Sequence, residues 1–460
     1  MRSRLSFYSP LMPRRRLVST ALFCSIALTC VLTLSACGSG NGRGEKVSDV
    51  AHGAAGFSNM ALAASKQGKI AVLWGADEAL QLEELPATSW HGSKAETVTS
   101  VGRWEGTLWV DSESQWSPLA ADAALGYDNQ ERLLAAWVAP LGEGRLGQRW
   151  GIKTRLRDRN GKWGSERLIA RLPEKLNDSD LSSGVRISSL PGRFVLSWSA
   201  AASGPNDDYS IRSSGLSILK GNKWTTPENV GSIFPAQIEP AGRSALALWI
   251  QYEDSRLVYA SLTPDGRLGK RQVLAPAGGF LATSSSADGV AAAWVQDNAT
   301  WVSICNGHAW SPPERLARNG GDWSDPVAIA ESGKRSAVAW VRPGELVKGA
   351  SYALAKRGVW GKPTSLAPGE ESLADSVSAG ALSSGEIVIV GAAWHAWQDK
   401  LEIARVPAEG RASFTEIPTP DGTGSGVFAS SPRAVAFVWE ADPGPEGHSR
   451  PELHAWVYRP

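Results

Sequence analysis

The chain has 460 residues, of which 47 are basic and 46 acidic, so its formal net charge at pH 7 is +1. This balance excludes the strongly basic surface typical of nucleic-acid-binding proteins, and we expect no nucleic-acid partner. Tryptophan is unusually abundant, with 21 residues, whereas cysteine is scarce, with four.

The N-terminal region has the pattern of an export signal. Its first 37 residues contain five arginines and no acidic residue, and an apolar run of 18 residues extends over positions 17–34. A basic region followed by an apolar region and a small-residue site is typical of a secretory signal peptide. The alternative is an uncleaved membrane-spanning helix, for which this run is just long enough.

The end of the apolar run, Leu34-Ser35-Ala36-Cys37, resembles the lipobox of bacterial lipoproteins. The resemblance implies cleavage before Cys37 and a diacylglyceryl thioether on its sulfur. Residues 1–36 are then a signal peptide, residues 37–44 the lipidated cysteine and a flexible Gly-rich tether, and residues 45–460 an extracytoplasmic domain. The lipid would anchor this domain to the cell membrane, or to the outer membrane of a Gram-negative cell.

The cysteines support no disulfide framework. Cys24 and Cys30 would leave with the signal peptide, and Cys37 would carry the lipid. Cys305 then remains as the only free thiol, so the fold must be stabilised by its core alone.

A tryptophan-containing segment recurs eight times after the tether. Each copy is a short run rich in Ala and Val between turn residues, such as Arg335-Ser-Ala-Val-Ala-Trp340, and such runs are typical of buried strands. We expect the rings to fill the space between neighbouring repeats. The copies are 45–63 residues apart and end at Trp74, Trp137, Trp198, Trp249, Trp294, Trp340, Trp394 and Trp439.

The repeats predict an all-β fold, a single β-propeller. A second motif follows most copies, as in Asn160-Gly-Lys-Trp163, and a further strand and a tight turn precede each copy. Each unit is therefore predicted to contain four strands, and eight such units indicate eight blades. Seven blades and an extra hairpin remain an alternative, because residues 74–116 fit the repeat poorly. The last unit lacks an outer strand, which we expect residues 45–50 to supply.

At this point the repeats resemble the degenerate propeller repeats of secreted bacterial proteins related to the sialidase-like (BNR) class. The resemblance covers residues 57–460 and implies the fold rather than an activity. Sialidases carry the sequence Ser-x-Asp-x-Gly-x-x-Trp at the turn that corresponds to Asn160-Gly-Lys-Trp163. Here Asp158 and Trp163 keep the spacing of the motif, but Gly161 is one position late and the serine is absent.

The order of strands in a propeller determines which loops share a face. Turns that follow the Trp-ending strands, and the links between blades, lie on one face, which we call the upper face. The other turns lie on the opposite, lower face, where Lys and Arg are abundant and the tether would leave towards anionic lipid.

Each upper turn contains an acidic residue. These acids are either ordinary solvated turn residues or a rim that attracts a cationic or hydroxyl-rich ligand. Two tryptophans in or beside upper loops are candidates for stacking on a ligand. The candidate ligand-binding residues are Asp207, Asp208, Glu253, Asp254, Asp297, Asp399, Trp150 and Trp397.

The sequence contains no recognisable catalytic motif. Metal-binding His pairs, a Gly-x-Ser-x-Gly elbow and a phosphate-binding loop are all missing, so we assign no catalytic residue, metal or cofactor. Our first hypothesis is a monomeric binding or scaffolding module for a protein or carbohydrate ligand. The alternatives are a sialidase-like carbohydrate-active enzyme, which needs Asp, Glu, Tyr and Arg around a central pocket, and an assembly-factor lipoprotein of the envelope.

Overall fold

The structure of the protein is a computed structural model. The residues that it describes are 44–52, 58–76, 79–89, 93–100, 123–144, 147–173, 182–203, 209–232, 234–242, 244–307, 309–318, 327–342, 349–367, 374, 376–393, 400–419, 426–441 and 452–460. All regular structure within these ranges is β-strand.

The strands of the first four blades follow β1 in chain order. They are β1 Gly44–His52, β2 Ser58–Ala64, β3 Ile70–Ala76, β4 Ala79–Leu85, β5 Glu96–Ser100, β6 Ala123–Tyr127, β7 Leu133–Gly144, β8 Gly147–Arg157, β9 Arg167–Arg171, β10 Ser182–Leu190, β11 Arg193–Ser203, β12 Tyr209–Lys220, β13 Lys223–Trp224, β14 Glu228–Asn229, β15 Gln237–Ala241, β16 Ser244–Ile250, β17 Leu257–Leu262 and β18 Gln272–Ala275.

The last four blades contain the remaining strands. They are β19 Leu281–Ser286, β20 Gly289–Gln296, β21 Ala299–Cys305, β22 Glu314–Arg318, β23 Val327–Ser332, β24 Arg335–Arg342, β25 Gly349–Lys356, β26 Val359–Trp360, β27 Thr364–Ser365, β28 Ser376–Ala381, β29 Ile387–Ala393, β30 Lys400–Val406, β31 Ser413–Pro418, β32 Gly426–Ser431, β33 Ala434–Ala441 and β34 Glu452–Arg459.

Eight antiparallel sheets form the eight blades, which confirms the predicted β-propeller and its blade number. Seven sheets follow chain order, from β2–β5 as blade 1 to β28–β31 as blade 7; in blades 3 and 6 two short strands share the outer position. The first strand of each blade contacts the first strand of the next blade, from β2 through β6, β10, β15, β19, β23, β28 and β32 back to β2. These contacts close the ring, with the first strands innermost.

The last blade is closed by the N-terminal strand, as the sequence predicts. Its order is β1-β34-β33-β32, and β1 pairs with β34 from Gly44 opposite Arg459 to His52 opposite Glu452. A bulge between Asp49 and Ala51 leaves Val50 outside the register, and its buried side chain joins the core between blades 8 and 1.

Tryptophan side chains fill the space between blades. Seven of the eight Trp that end a second strand lie within the described residues, and all are at most 3% exposed, which confirms their predicted place in the core. The eighth, Trp394, lies outside the described residues. The ring of Trp198 packs against Gly215, where any side chain would collide with it. The Ala and Val residues beside the Trp let blade faces approach this closely.

No helix among the described residues is long and apolar enough to cross a membrane.

Candidate functional site

The topology confirms the two faces. Each second strand runs towards the upper face and each third strand returns to the lower face, so the blade links open above. Because β1 is antiparallel to β34, Gly44 lies at the lower face beside Arg459. The chain therefore enters the propeller from the lower face.

Several predicted residues lie outside the described residues. These are the lipidation site Cys37 and the ligand candidates Asp207, Asp208, Asp399 and Trp397. They stay predictions.

The two acids predicted in the upper turn of blade 4 are described and engage their own turn. Glu253 accepts a hydrogen bond from the Gln251 amide nitrogen at 2.7 Å. Asp254 forms a close ion pair with Arg256, whose guanidinium holds the pKa of this carboxyl below its usual range. Both side chains are solvent-accessible at the upper face, but Asp254 already has a cation as a partner.

Asp297 occupies the upper turn of blade 5. Asp297 and Asn298 have positive φ angles of 51° and 56°, as expected for a two-residue hairpin turn that favours Asp and Asn. The Asp297 carboxylate accepts a hydrogen bond from the Gln296 amide nitrogen at 3.1 Å. The conformation of this turn therefore explains why Asp occurs at position 297.

Trp150 does not suit the predicted stacking on a ligand. Its side chain is 2% exposed and lies in the core between blades 2 and 3, with Val138 and Trp198. An indole inside an interblade core offers no free face, so its place next to an upper loop in the sequence was misleading.

The lower face is less uniformly basic than the sequence indicates. Lys69 lies 3.6 Å from Glu84 and 3.8 Å from Glu131, and Arg132 pairs with Asp128 at 2.7 Å. Acids from neighbouring strands and turns therefore offset these two cations of blades 1 and 2.

Exposed aromatic side chains are concentrated at the upper end of blade 4. Among the described residues only three aromatic side chains are exposed, namely Phe234 at 45%, Tyr252 at 39% and Phe280 at 38%. Phe234 lies in the link that enters blade 4, Tyr252 in its upper turn, and Phe280 in the link that leaves it. The two phenylalanine rings stack with centroids 6.3 Å apart. We call these three residues the aromatic patch.

A pocket of about 170 Å³ opens beside the patch at the inner edge of blade 4. Phe234 and Phe280 form its rim, and Trp249 contributes to its wall. Two polar side chains from first strands, Arg186 and Gln237, also line it. Ligand pockets usually have volumes of about 300 Å³ or more. This smaller pocket would therefore hold only part of a larger ligand.

The polar side chains continue inwards from the pocket. The Glu239 carboxylate accepts hydrogen bonds from Thr283 and Ser285 of the next blade, both at 2.7 Å. The surrounding protein raises the pKa of Glu239 by desolvation, and the nearby Arg186 charge opposes this shift. Arg186 forms no hydrogen bond or salt bridge with another described residue. It is therefore the group at this edge best placed to meet a ligand.

A second carboxyl on the first strands has an altered titration. Glu331 of β23 is 8% exposed, and burial raises its pKa to about 7, with a smaller contribution from Glu239. Between its ordinary pKa and about pH 7 the folded state thus binds more protons than the unfolded state, so stability falls as pH rises through this window.

We expect the free energy of unfolding to fall between about pH 4.5 and 7, and to fall less in Glu331→Gln. Urea denaturation at several pH values measures both slopes. The exposed Glu409→Gln is the matched control, because it removes a carboxylate at the protein surface. Glu83, whose pKa burial raises to about 7, and Glu239, whose pKa burial also raises, would account for the slope that remains. An unchanged slope in Glu331→Gln would contradict the assignment.

Among the described residues, the first strands lack the set of side chains that the enzyme hypothesis needs. Over their described residues they contain one arginine, Arg186, two acids, Glu239 and Glu331, and one tyrosine, Tyr127. Tyr127 is buried in the core between blades 1 and 2. No group of three or more potential metal ligands occurs in the described part of the chain.

The patch, the pocket and Arg186 were not predicted from the sequence. Phe234 and Phe280 each lie in a link between blades, next to Pro235 and Leu281. Phenylalanine in such a link was a usable signal, because links between blades open on the upper face.

Comparisons with known proteins add no functional assignment. No protein-family model matches the chain, and no curated protein matches it. Similar solved structures include a polysaccharide lyase, with 10% identity over 71% of this chain and 88% of that chain and a TM-score of 0.43. A fucose-specific lectin from Aleuria aurantia has 11% identity over 83% and 97% and a TM-score of 0.38.

A neuraminidase-like protein of A/little yellow-shouldered bat/Guatemala has 9% identity over 91% of this chain and 99% of that chain, with a TM-score of 0.37. At such identities and TM-scores these similarities carry no argument about what the present chain binds.

Proposed function

We propose that the chain is a lipid-anchored binding module of the cell envelope, which binds a protein or carbohydrate ligand at the upper end of blade 4. The observation that carries the proposal is the aromatic patch. Soluble proteins usually bury such side chains, and their clustering at one edge of a pocket is typical of binding surfaces.

The composition of the site supports recognition rather than catalysis. Phe234 and Phe280 offer stacked apolar faces, whereas Arg186 and Gln237 offer polar atoms in the pocket below. Aromatic rings with a guanidinium and an amide suit a sugar ring or a peptide side chain with a polar tip. Glu253 and Asp254 follow Tyr252 in the upper turn of blade 4, but they do not line the pocket.

The anchor belongs to the same proposal. A lipid on Cys37 would be followed by six residues before β1, a reach of about 20 Å when extended. Because Gly44 lies at the lower face, this arrangement directs the lower face to the membrane and the aromatic patch away from it.

Site-specific photocrosslinking in cells tests the proposal. We expect Phe234→p-benzoylphenylalanine to give a defined crosslinked product that Phe280→Ala abolishes. Val359→p-benzoylphenylalanine is the matched control, because Val359 is exposed and follows a turn of the lower face. A glycan array probed with the wild type and with Phe234→Ala covers carbohydrate ligands. Equal crosslinking from both positions, or glycan binding that Phe234→Ala does not weaken, would refute the proposed site.

A further inference from the structure

A larger cleft lies on the opposite face, between blades 2 and 3. Its volume is about 330 Å³, within the range of ligand pockets. The turn between β8 and β9 lines one side with Lys162 and Trp163. Asn222 of the turn after β12 and Trp224 of β13 line the other side. Arg167 of β9 completes the rim. We call this space the interblade cleft.

The tryptophans give the cleft fixed apolar surfaces. Trp163 and Trp224 are half-buried, and the Arg155 guanidinium lies 5.7 Å from the centroid of the Trp163 ring. Trp224 packs on Leu134, Phe194 and Leu219. Rings held in this way can receive the flat face of a ligand without losing conformational entropy of their own.

The cations that line the cleft differ from nearby cations in their ion pairing. Lys153 pairs with Glu166 at 2.8 Å, and Arg157 pairs with Glu84. Lys162 and Arg167, in contrast, form no salt bridge with any residue in the described ranges. Arg167 donates one hydrogen bond, from Nη1 to the Asn222 carbonyl at 2.9 Å, which positions its guanidinium across the two blades.

The single acid of the lining has a structural role. Asp158 Oδ1 accepts hydrogen bonds from the backbone N–H groups of Asn160 and Lys162, both at 2.9 Å. These bonds hold the turn that presents Lys162. With one acid and two cations, the lining carries a net positive charge.

We infer that the interblade cleft binds an acidic saccharide. The apolar C–H face of a sugar ring would stack on the indoles, and its hydroxyl groups would form hydrogen bonds with Asn222. The carboxylate of an acidic sugar would pair with Lys162 and Arg167. This site is separate from the aromatic patch, so it extends the proposed function and does not depend on it.

Calorimetric titration with a galacturonic acid tetramer tests the inference, and a galactose tetramer serves as the neutral probe. We expect the acidic tetramer to bind the soluble wild-type domain, and its affinity to fall as salt is raised. Lys162→Glu and Arg167→Glu should each weaken the affinity about tenfold or more. The control Lys334→Glu, an equal charge change at an exposed lower turn of blade 6, should leave it unchanged.

Trp224→Leu should also abolish binding, and its thermal midpoint shows whether the fold is retained. Because the charge variants alter exposed side chains, they keep the inference testable if Trp224→Leu fails to fold. Equal binding of the neutral tetramer, an affinity unchanged in Lys162→Glu, or no heat with the acidic tetramer would overturn the inference. Binding to phosphatidylglycerol vesicles in place of the saccharide would overturn it as well.

Discussion

A soluble chain that lacks Gly44–His52 should lose about 5 kcal/mol of stability or more and form aggregates. The deletion removes eight residue pairs of the β1–β34 ladder, and each hydrogen bond contributes about 1 kcal/mol. It also removes the buried Val50 and the Glu45 carboxylate that accepts a hydrogen bond from Trp456 Nε1 at 2.7 Å. The exposed edge of β34 would then pair with other chains.

Thermal denaturation and size-exclusion chromatography measure both effects. We expect the midpoint to fall by about 10 °C or more. A synthetic peptide of residues 44–52 should restore the midpoint when added in excess, whereas a scrambled peptide of the same composition should not. A deletion that remains monomeric with an unchanged midpoint would show that β1 does not close the ring.

The second large effect is expected for the tryptophan that ends β24. Trp340 is 1% exposed and packs between blades 5 and 6 with Ile329, Val338 and Ala353. Trp340→Ala would leave a cavity between the two blades, and we expect it to lower the free energy of unfolding by about 3–5 kcal/mol.

The matched control lies in the same blade. Trp360 packs against the same cluster but is only half-buried, so Trp360→Ala should cost clearly less than Trp340→Ala. Urea denaturation followed by circular dichroism measures both losses. Equal losses, or a loss below about 1 kcal/mol for Trp340→Ala, would contradict the role assigned to the strand-ending tryptophans.

The fold could be predicted because its signal is repeated. A single run such as Gly289-Val-Ala-Ala-Ala-Trp294 is compatible with a buried strand or with a helix segment. Eight spaced copies, each bounded by turn residues, are compatible only with strands. The closing strand could be predicted for a related reason. An incomplete last blade leaves an edge, and residues 45–50 were the segment available to cover it.

The candidate site could be predicted only in part, because it depends on contacts between repeats. The sequence identifies Glu253 and Asp254 as acids of an upper turn, but not that Arg256 folds back on Asp254. Nor does it show that Phe234 and Phe280, 46 positions apart, stack on each other. Trp150 shows the opposite error, because closeness to a loop in sequence does not determine which way a strand side chain points.

The position of Gly44 has a mechanical consequence. A pull on the chain before Gly44, directed away from the lower face, acts along the axis of β1. The hydrogen bonds of all eight β1–β34 residue pairs would then be loaded at the same time, instead of breaking one after another. Under such a pull, the strand that completes the ring would be loaded in shear along its whole length.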